Sequence, residues 1–202
     1  MSLMNEIPKQ SALAEAFELE ILDGKGSTVN FGSLLPSDPP EKVVVVFIRH
    51  FFCGSCKQYV EELASVPQES LDKANARIIV IGCGHPDAIK FYKESAKFPG
   101  QIYADPTRKL YHALGMDIEN LAMTPTGKER RSYLKVGAFY NAVSSTFQGP
   151  LKNPSLIGKQ GKISQLGGDF VFGPECIFAS RMQNTEDHVE VSELMKHADV
   201  DL

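Results

Sequence analysis

Two short apolar runs with a helical stretch between them constrain this chain more than any other feature. Val43-Val44-Val45-Val46-Phe47-Ile48 is an unbroken run of strand length, and Ile78-Ile79-Val80-Ile81 is a second. A strand without polar alternation is buried on both faces, as at the centre of a sheet covered by helices. Between the runs, from about Ser55 to Val66, Tyr59, Val60, Leu63 and Ala64 recur at helical spacing, and Pro67 ends that helix. Strand, turn, helix and strand in this order form a crossover unit with two parallel strands. Its first turn lies outside the carboxyl end of a strand, where ligands and chemistry collect in such sheets. That turn holds Cys53-Gly54-Ser55-Cys56.

The rest of the chain supplies elements to surround this unit. Phe17 to Leu22 alternates like a half-buried strand, Asp23-Gly24-Lys25-Gly26 turns, and Thr28 to Phe31 returns as a hairpin partner. Ser37-Asp38-Pro39-Pro40 reads as a stiff polar connection. Pro86 to Lys97 predicts a helix, Gln101 to Ala104 a short strand, and Thr107 to Leu114 a helix stopped by Gly115. Arg131 to Phe147 predicts a long amphipathic helix with Lys128, Arg130, Arg131 and Lys135 gathered at its start. Asp169 to Phe172 and Ile177 to Ser180 read as a hairpin across Gly173-Pro174-Glu175, and a last helix is expected from an N-cap at Asp187. No repeat or composition break divides the chain. Residues 17–202 are therefore expected to form a single domain behind a tail at 1–16, of which Met1-Ser2-Leu3 resembles an appended leader.

Composition narrows the function classes. Of 202 residues, 43% are hydrophobic, enough for a sizeable core, and 25 acids against 21 bases leave no basic footprint for nucleic acid. No run approaches the roughly 18 apolar residues of a membrane span, and the first apolar run lacks the flanks of a signal peptide. A cytoplasmic location is the expectation. Four cysteines are too few for a disulfide scaffold in a chain of this length. In a reducing compartment they are expected to be reactive, metal-bound or simply buried.

The pair Cys53 and Cys56 fits redox use. A thiolate, not a thiol, is the nucleophile, and the unmatched N–H groups at a helix N-terminus stabilise it. The spacing makes Cys53 the exposed attacking sulfur and Cys56 the more buried resolving thiol, with Arg49 and His50 placed to add positive charge. A closed zinc site wants four ligands. This chain offers one CxxC plus isolated Cys83 and Cys176, so zinc or an iron–sulfur cluster stays as an alternative, as does a non-catalytic scaffold. Cys83 ends the second buried strand near the same sheet end and is either an extra thiol or a small core residue. Cys176 belongs at the opposite end. No metal or other cofactor is expected for the redox reading.

The stretch VVVVFIRHFFCGSCKQYVEEL, from Val43 to Leu63, resembles the AhpC/TSA-type peroxiredoxin-like proteins, in the thioredoxin-like branch related to selenoprotein U. The likeness continues through IIVIGCGHPDAIKFY, IYADPTRKLYHALGM and QLGGDFVFGP to Asp187-His188, and covers most of the chain from Phe17 onward. It implies an α/β thioredoxin-like fold: a central mixed sheet flanked by helices, with a peroxiredoxin-type N-terminal β-hairpin. It also implies an antioxidant oxidoreductase with Cys53 and Cys56 as its redox pair. A peroxide or disulfide is then the substrate, and a thioredoxin- or glutathione-type thiol the external reductant. The expectation includes no nucleic acid, no membrane, and room for a homodimer. Arg181 resembles a family position and is placed by topology near the CxxC end, as a candidate to position an anion.

Two departures qualify the resemblance. Peroxiredoxins proper carry PxxxTxxC, whereas here Val46 stands at the proline position and His50 at the threonine position. Thioredoxins carry a cis-proline before the strand facing the CxxC, and the equivalent place here is Gly167-Gly168.

Overall fold

The computed structural model describes residues 4–36, 41–135 and 153–202. Its order is α1 (Gln10–Phe17), β1 (Glu20–Leu22), β2 (Thr28–Asn30), β3 (Lys42–Ile48), α2 (Gly54–Leu63), α3 (Gln68–Lys73) and β4 (Ala76–Gly82). Then follow α4 (Asp87–Ala96), β5 (Gln101–Ala104), α5 (Lys109–Ala113), β6 (Gly168–Phe172), β7 (Cys176–Arg181) and α6 (Val191–His197). The described strands form one seven-stranded sheet in the order β2-β1-β5-β4-β3-β6-β7.

The two apolar runs are its central strands. β3 pairs in parallel with β4 from Lys42↔Ala76 to Ile48↔Gly82, and antiparallel with β6 from Val43↔Phe172 to Phe47↔Gly168. Alternation along β3 sends Val44, Val46 and Ile48 into a core with α2, α4 and α6. Val43, Val45 and Phe47 enter a second core with α1 and α5. Both faces are covered, which is why the strand carries no polar alternation. The second core is aromatic: Phe31, Phe47, Phe170 and Phe172 meet edge-on or tilted at 5.5–6.4 Å between ring centroids, apart from the stacked pair Phe170–Phe172 at 6.2 Å.

Several expectations shift. The N-terminal hairpin is present, but its first strand begins at Glu20, and Phe17 closes α1. Residues 10–16, set apart as tail, belong to that helix, and Leu13 and Ala16 are buried in the second core. Lys128 to Lys135 hold turns and irregular backbone, so no helix begins at Arg131. Residues 136–147 of the expected helix lie outside the described residues, as do the 37–40 connection and Met1 to Leu3. Asp187 caps no helix. α6 starts four residues later behind Glu190, because the Asp187 carboxylate accepts from the Gln183 N–H at 3.0 Å and from Arg131 at 3.2 Å. No helix among the described residues is long and apolar enough to cross a membrane.

Candidate active site at the amino end of helix α2

Cys53 is the N-cap residue of α2. Its backbone is extended, and its sulfur accepts the Cys56 N–H at 3.3 Å, so the helix's first donors face the thiol. The Arg49 guanidinium, from the end of β3, reaches the Cys53 sulfur at 3.4 Å through Nη1. Its Nη2 donates to the Ile163 carbonyl at 2.6 Å, while its backbone N–H points at the Cys56 sulfur at 3.4 Å. One residue thus addresses both sulfurs.

These contacts divide the two thiols. Burial alone would raise Cys53. The Cys56 hydrogen bond, the Arg49 charge, the neighbouring His50 and the Ser55 hydrogen bond reverse that and hold it well below the usual thiol range. Burial, and then the neighbouring Cys53, push Cys56 well above that range. The split is what a nucleophile and a resolving thiol require. Both sulfurs are nonetheless interior, with Cys53 only 3% exposed, which corrects the expectation of an exposed attacking thiol.

Of the two predicted cations, Arg49 touches the Cys53 sulfur, while His50 lies beside it with its ring bonded elsewhere. His50 is buried, and desolvation brings its pKa down to about 4, so the ring is neutral at physiological pH. Its Nδ1 accepts the Phe52 N–H at 3.3 Å. Arg181 does reach the same sheet end, opposite Gly168, but lies with the second core. Its guanidinium donates to the carbonyls of Leu114 at 2.6 Å and Glu6 at 2.8 Å and sits over the Phe170 ring. These contacts lie on the face away from α2, with the second core rather than beside Cys53.

Cys83 directly follows β4 and lies beside the site. Its thiol donates to the Arg49 carbonyl at 2.8 Å, and burial pushes its pKa up to about 11. It therefore supports the backbone of Arg49 as a hydrogen-bond donor. Cys176 opens β7 at the opposite end and is also raised to about 11 by burial. All four cysteines are free thiols, and no metal-binding group of three or more His, Cys, Asp or Glu side chains gathers among the described residues.

A strap of irregular backbone closes the site from above. Lys159 O accepts the His85 N–H at 2.8 Å, Gln160 O accepts the Phe51 N–H at 3.0 Å, and Ile163 O holds Arg49. The strap fits closely because Gly161, at φ +95°, would bring a Cβ within 2.8 Å of Cys83. The cis-proline place is filled by a still tighter contact. A Cβ on Gly167 would stand 1.7 Å from the Phe47 carbonyl oxygen, so only glycine fits there.

Sequence reasoning meets His188 only within the resemblance, as a residue at a helix start, and misses the polar cluster behind α2 that it joins. Asp169, in β6, points to the α2 side in register with Val46, fully buried. Its carboxylate takes His188 Nδ1 and the Val189 N–H, each at 2.9 Å. The His188 ring stacks on Tyr59 of α2 at 4.3 Å, nearly parallel, and its backbone N–H reaches the Tyr133 hydroxyl at 3.1 Å. A charged residue inside the otherwise apolar strand Gly168-Asp169-Phe170-Val171-Phe172 was the available signal.

Comparison with known proteins agrees with this architecture. The sequence pattern described as AhpC/TSA antioxidant enzyme matches residues 62–184, beginning just past the two cysteines. Human "Peroxiredoxin-like 2C" is 34% identical over 190 residues, covering 93% of this chain and 80% of that one. Among solved structures, peroxiredoxin Q of Xanthomonas campestris superposes with a TM-score of 0.55 at 16% identity, over 96% of this chain and 90% of that one. Peroxidoxin BcpB from Mycobacterium tuberculosis gives 0.56 at 12% identity, over 97% and 94%. With a mixed sheet flanked by helices and this likeness running along nearly its whole length, the chain belongs to the AhpC/TSA peroxiredoxin-like family, with a thioredoxin-like fold.

Proposed function

We propose that the chain is a thiol-dependent antioxidant oxidoreductase in which Cys53 reduces a peroxide and Cys56 resolves the product. The observation that carries this reading is the Arg49 guanidinium on the Cys53 sulfur at an α2 N-terminus, beside a second thiol of opposite acidity. The Cys53 thiolate attacks one peroxide oxygen, the O–O bond breaks, and the leaving oxygen takes a proton to depart as water or an alcohol. Cys53 becomes a sulfenic acid. Cys56 attacks that sulfur, its own proton leaves with the hydroxyl as water, and a Cys53–Cys56 disulfide forms. Two external thiols, of thioredoxin or glutathione type, restore the pair by exchange. The burial of Cys53 favours a small peroxide over a protein disulfide. Four free thiols suit a reducing, cytoplasmic setting.

The test is a disulfide map of the reduced protein after brief exposure to stoichiometric hydrogen peroxide. Loss of two hydrogens mapped to Cys53–Cys56 is expected. Cys56→Ser should instead accumulate a sulfenic acid trappable on Cys53, and Cys53→Ser should be inert. Thiols that stay free in the unaltered protein would refute the reading.

A further inference from the structure

Ser55 lies between the two cysteines and takes no part in the thiol cycle as written. It is buried, with its hydroxyl oxygen 3.2 Å from the Cys53 sulfur and 2.9 Å from the Thr185 carbonyl oxygen. A serine hydroxyl has one proton to give. The carbonyl only accepts. The sulfur donates while it is a thiol and only accepts once it is a thiolate. Two arrangements follow. With Cys53 protonated, S–H donates to Ser55 and Ser55 donates to Thr185. With Cys53 ionised, the hydroxyl must point at the sulfur, since oxygen lone pairs facing a thiolate would repel it.

Resting on the Cys53 cycle above, we propose that Ser55 is a positioning residue for the Cys53 thiolate, its hydroxyl turning from the Thr185 carbonyl to the sulfur as the thiol ionises. The thiol proton leaves to solvent. Ser55 keeps its own proton and only redirects it, so no bond to Ser55 breaks.

The surroundings make the hydroxyl the moving part. The Thr185 N–H donates to Ala122 O at 2.8 Å, and the Glu186 carboxylate takes Thr124 Oγ1 and Arg130, both at 2.8 Å. Asp187 is held by Arg131, and His188 is fixed by Asp169. The His188 ring, stacked on Tyr59, keys this loop to α2 one turn beyond Cys56. The acceptor carbonyl and the helix therefore keep a constant separation, and rotation about one C–O bond is the low-energy response. Around the sulfur stand Arg49 and His50 from the end of β3, Cys56 from α2, and Tyr92 from α4. Only Arg49 brings a full charge at neutral pH, so Ser55 supplements that charge with a neutral, charge-assisted donor.

The test reads Cys53 ionisation without peroxide. Alkylation of Cys53 by iodoacetamide, scored by peptide mass across pH, gives the midpoint at which the thiolate forms. Ser55→Ala should move that midpoint up and slow alkylation about tenfold on its acid side, with the high-pH plateau unchanged. Ser55→Thr, which keeps the hydroxyl, should restore the original profile. His188→Asn, which frees the Thr185 loop, should shift the profile in the unaltered chain and add nothing in Ser55→Ala. Circular dichroism identifies variants that are folded. A folded Ser55→Ala protein with an unchanged or lowered midpoint overturns the proposal. Inertness of the unaltered protein to peroxide would sink the peroxidase reading and leave this profile intact.

Discussion

On one face of the sheet's carboxyl end, Arg181 and Tyr111 are spent on structure. Arg181 feeds two backbone carbonyls, and the Tyr111 hydroxyl reaches the Ile48 and Ile81 carbonyls at 2.7 and 3.0 Å. Around α2, residues of the same kinds are left incomplete. The buried side-chain polar atoms without a hydrogen-bond partner, among the described residues, are Arg49 Nε, Tyr59 Oη, Tyr92 Oη and His188 Nε2. Each belongs to a residue of the α2 side. A buried polar atom without a partner costs about 1–3 kcal/mol, so the α2 side carries a cost that the opposite face does not. Saturated polar groups hold a fold. Unsaturated ones, beside a thiol of shifted acidity, point to a reacting centre.

Acid should break this asymmetry most strongly. His50 titrates near 6.5 when unfolded and about 4 when folded, so between those values the unfolded chain binds the extra proton. Stability is therefore lost as pH falls from about 6.5 to about 4, by about 3 kcal/mol in all, and no further below that from this group. Urea denaturation across this range should show the slope, and His50→Gln should flatten it. The next largest effect falls on reactivity. Arg49→Met should slow Cys53 alkylation near neutral pH about a hundredfold, by the usual influence of one adjacent cation on a thiol. Its counterpart Arg181→Met should leave that rate unchanged and lower folding stability by about 3 kcal/mol or more, through lost charged hydrogen bonds that include those to Leu114 and Glu6. Equal effects of the two arginines on alkylation would dissolve the distinction between the faces. The tyrosines give the finest comparison. Tyr111→Phe should cost about 1 kcal/mol in urea denaturation, whereas Tyr92→Phe, losing a hydroxyl that bonds nothing, should stay within about 0.5 kcal/mol or gain stability.

What was legible in the sequence follows from how local each signal is. β3, β4 and α2 show because apolar continuity and helical spacing survive in a short window, and the CxxC then falls at a predictable turn. α1 was hidden because Phe17-Glu18-Leu19-Glu20 alternates across a boundary, helix before and strand after, and alternation alone cannot separate the two. Asp187 looked like a cap because aspartate often is one, and the partners that claim its carboxylate, Gln183 and Arg131, become visible only in three dimensions. The charge of His50 could not be read either, since it is set by burial. Topology gives Arg181 its end of the sheet, and the structure sets it among the second core. Strand direction fixes the end, whereas the face depends on what surrounds the side chain.

The strap over the site also bears on how the protein comes into being. Arg49 and the carbonyl that holds its guanidinium, Ile163, are 114 residues apart in sequence. A growing chain that has emerged through Gly82 already contains β3, α2 and β4, with neither the strap nor β6 to steady them. Contacts at such separation form late, after the local ones. Cys53 should therefore meet its nearest donors, Cys56, Ser55 and Arg49, once β3 and α2 form, and gain a fixed guanidinium only when the last third of the chain folds back. The motif brings the sulfur its donors, and the completed fold holds the guanidinium among them in place.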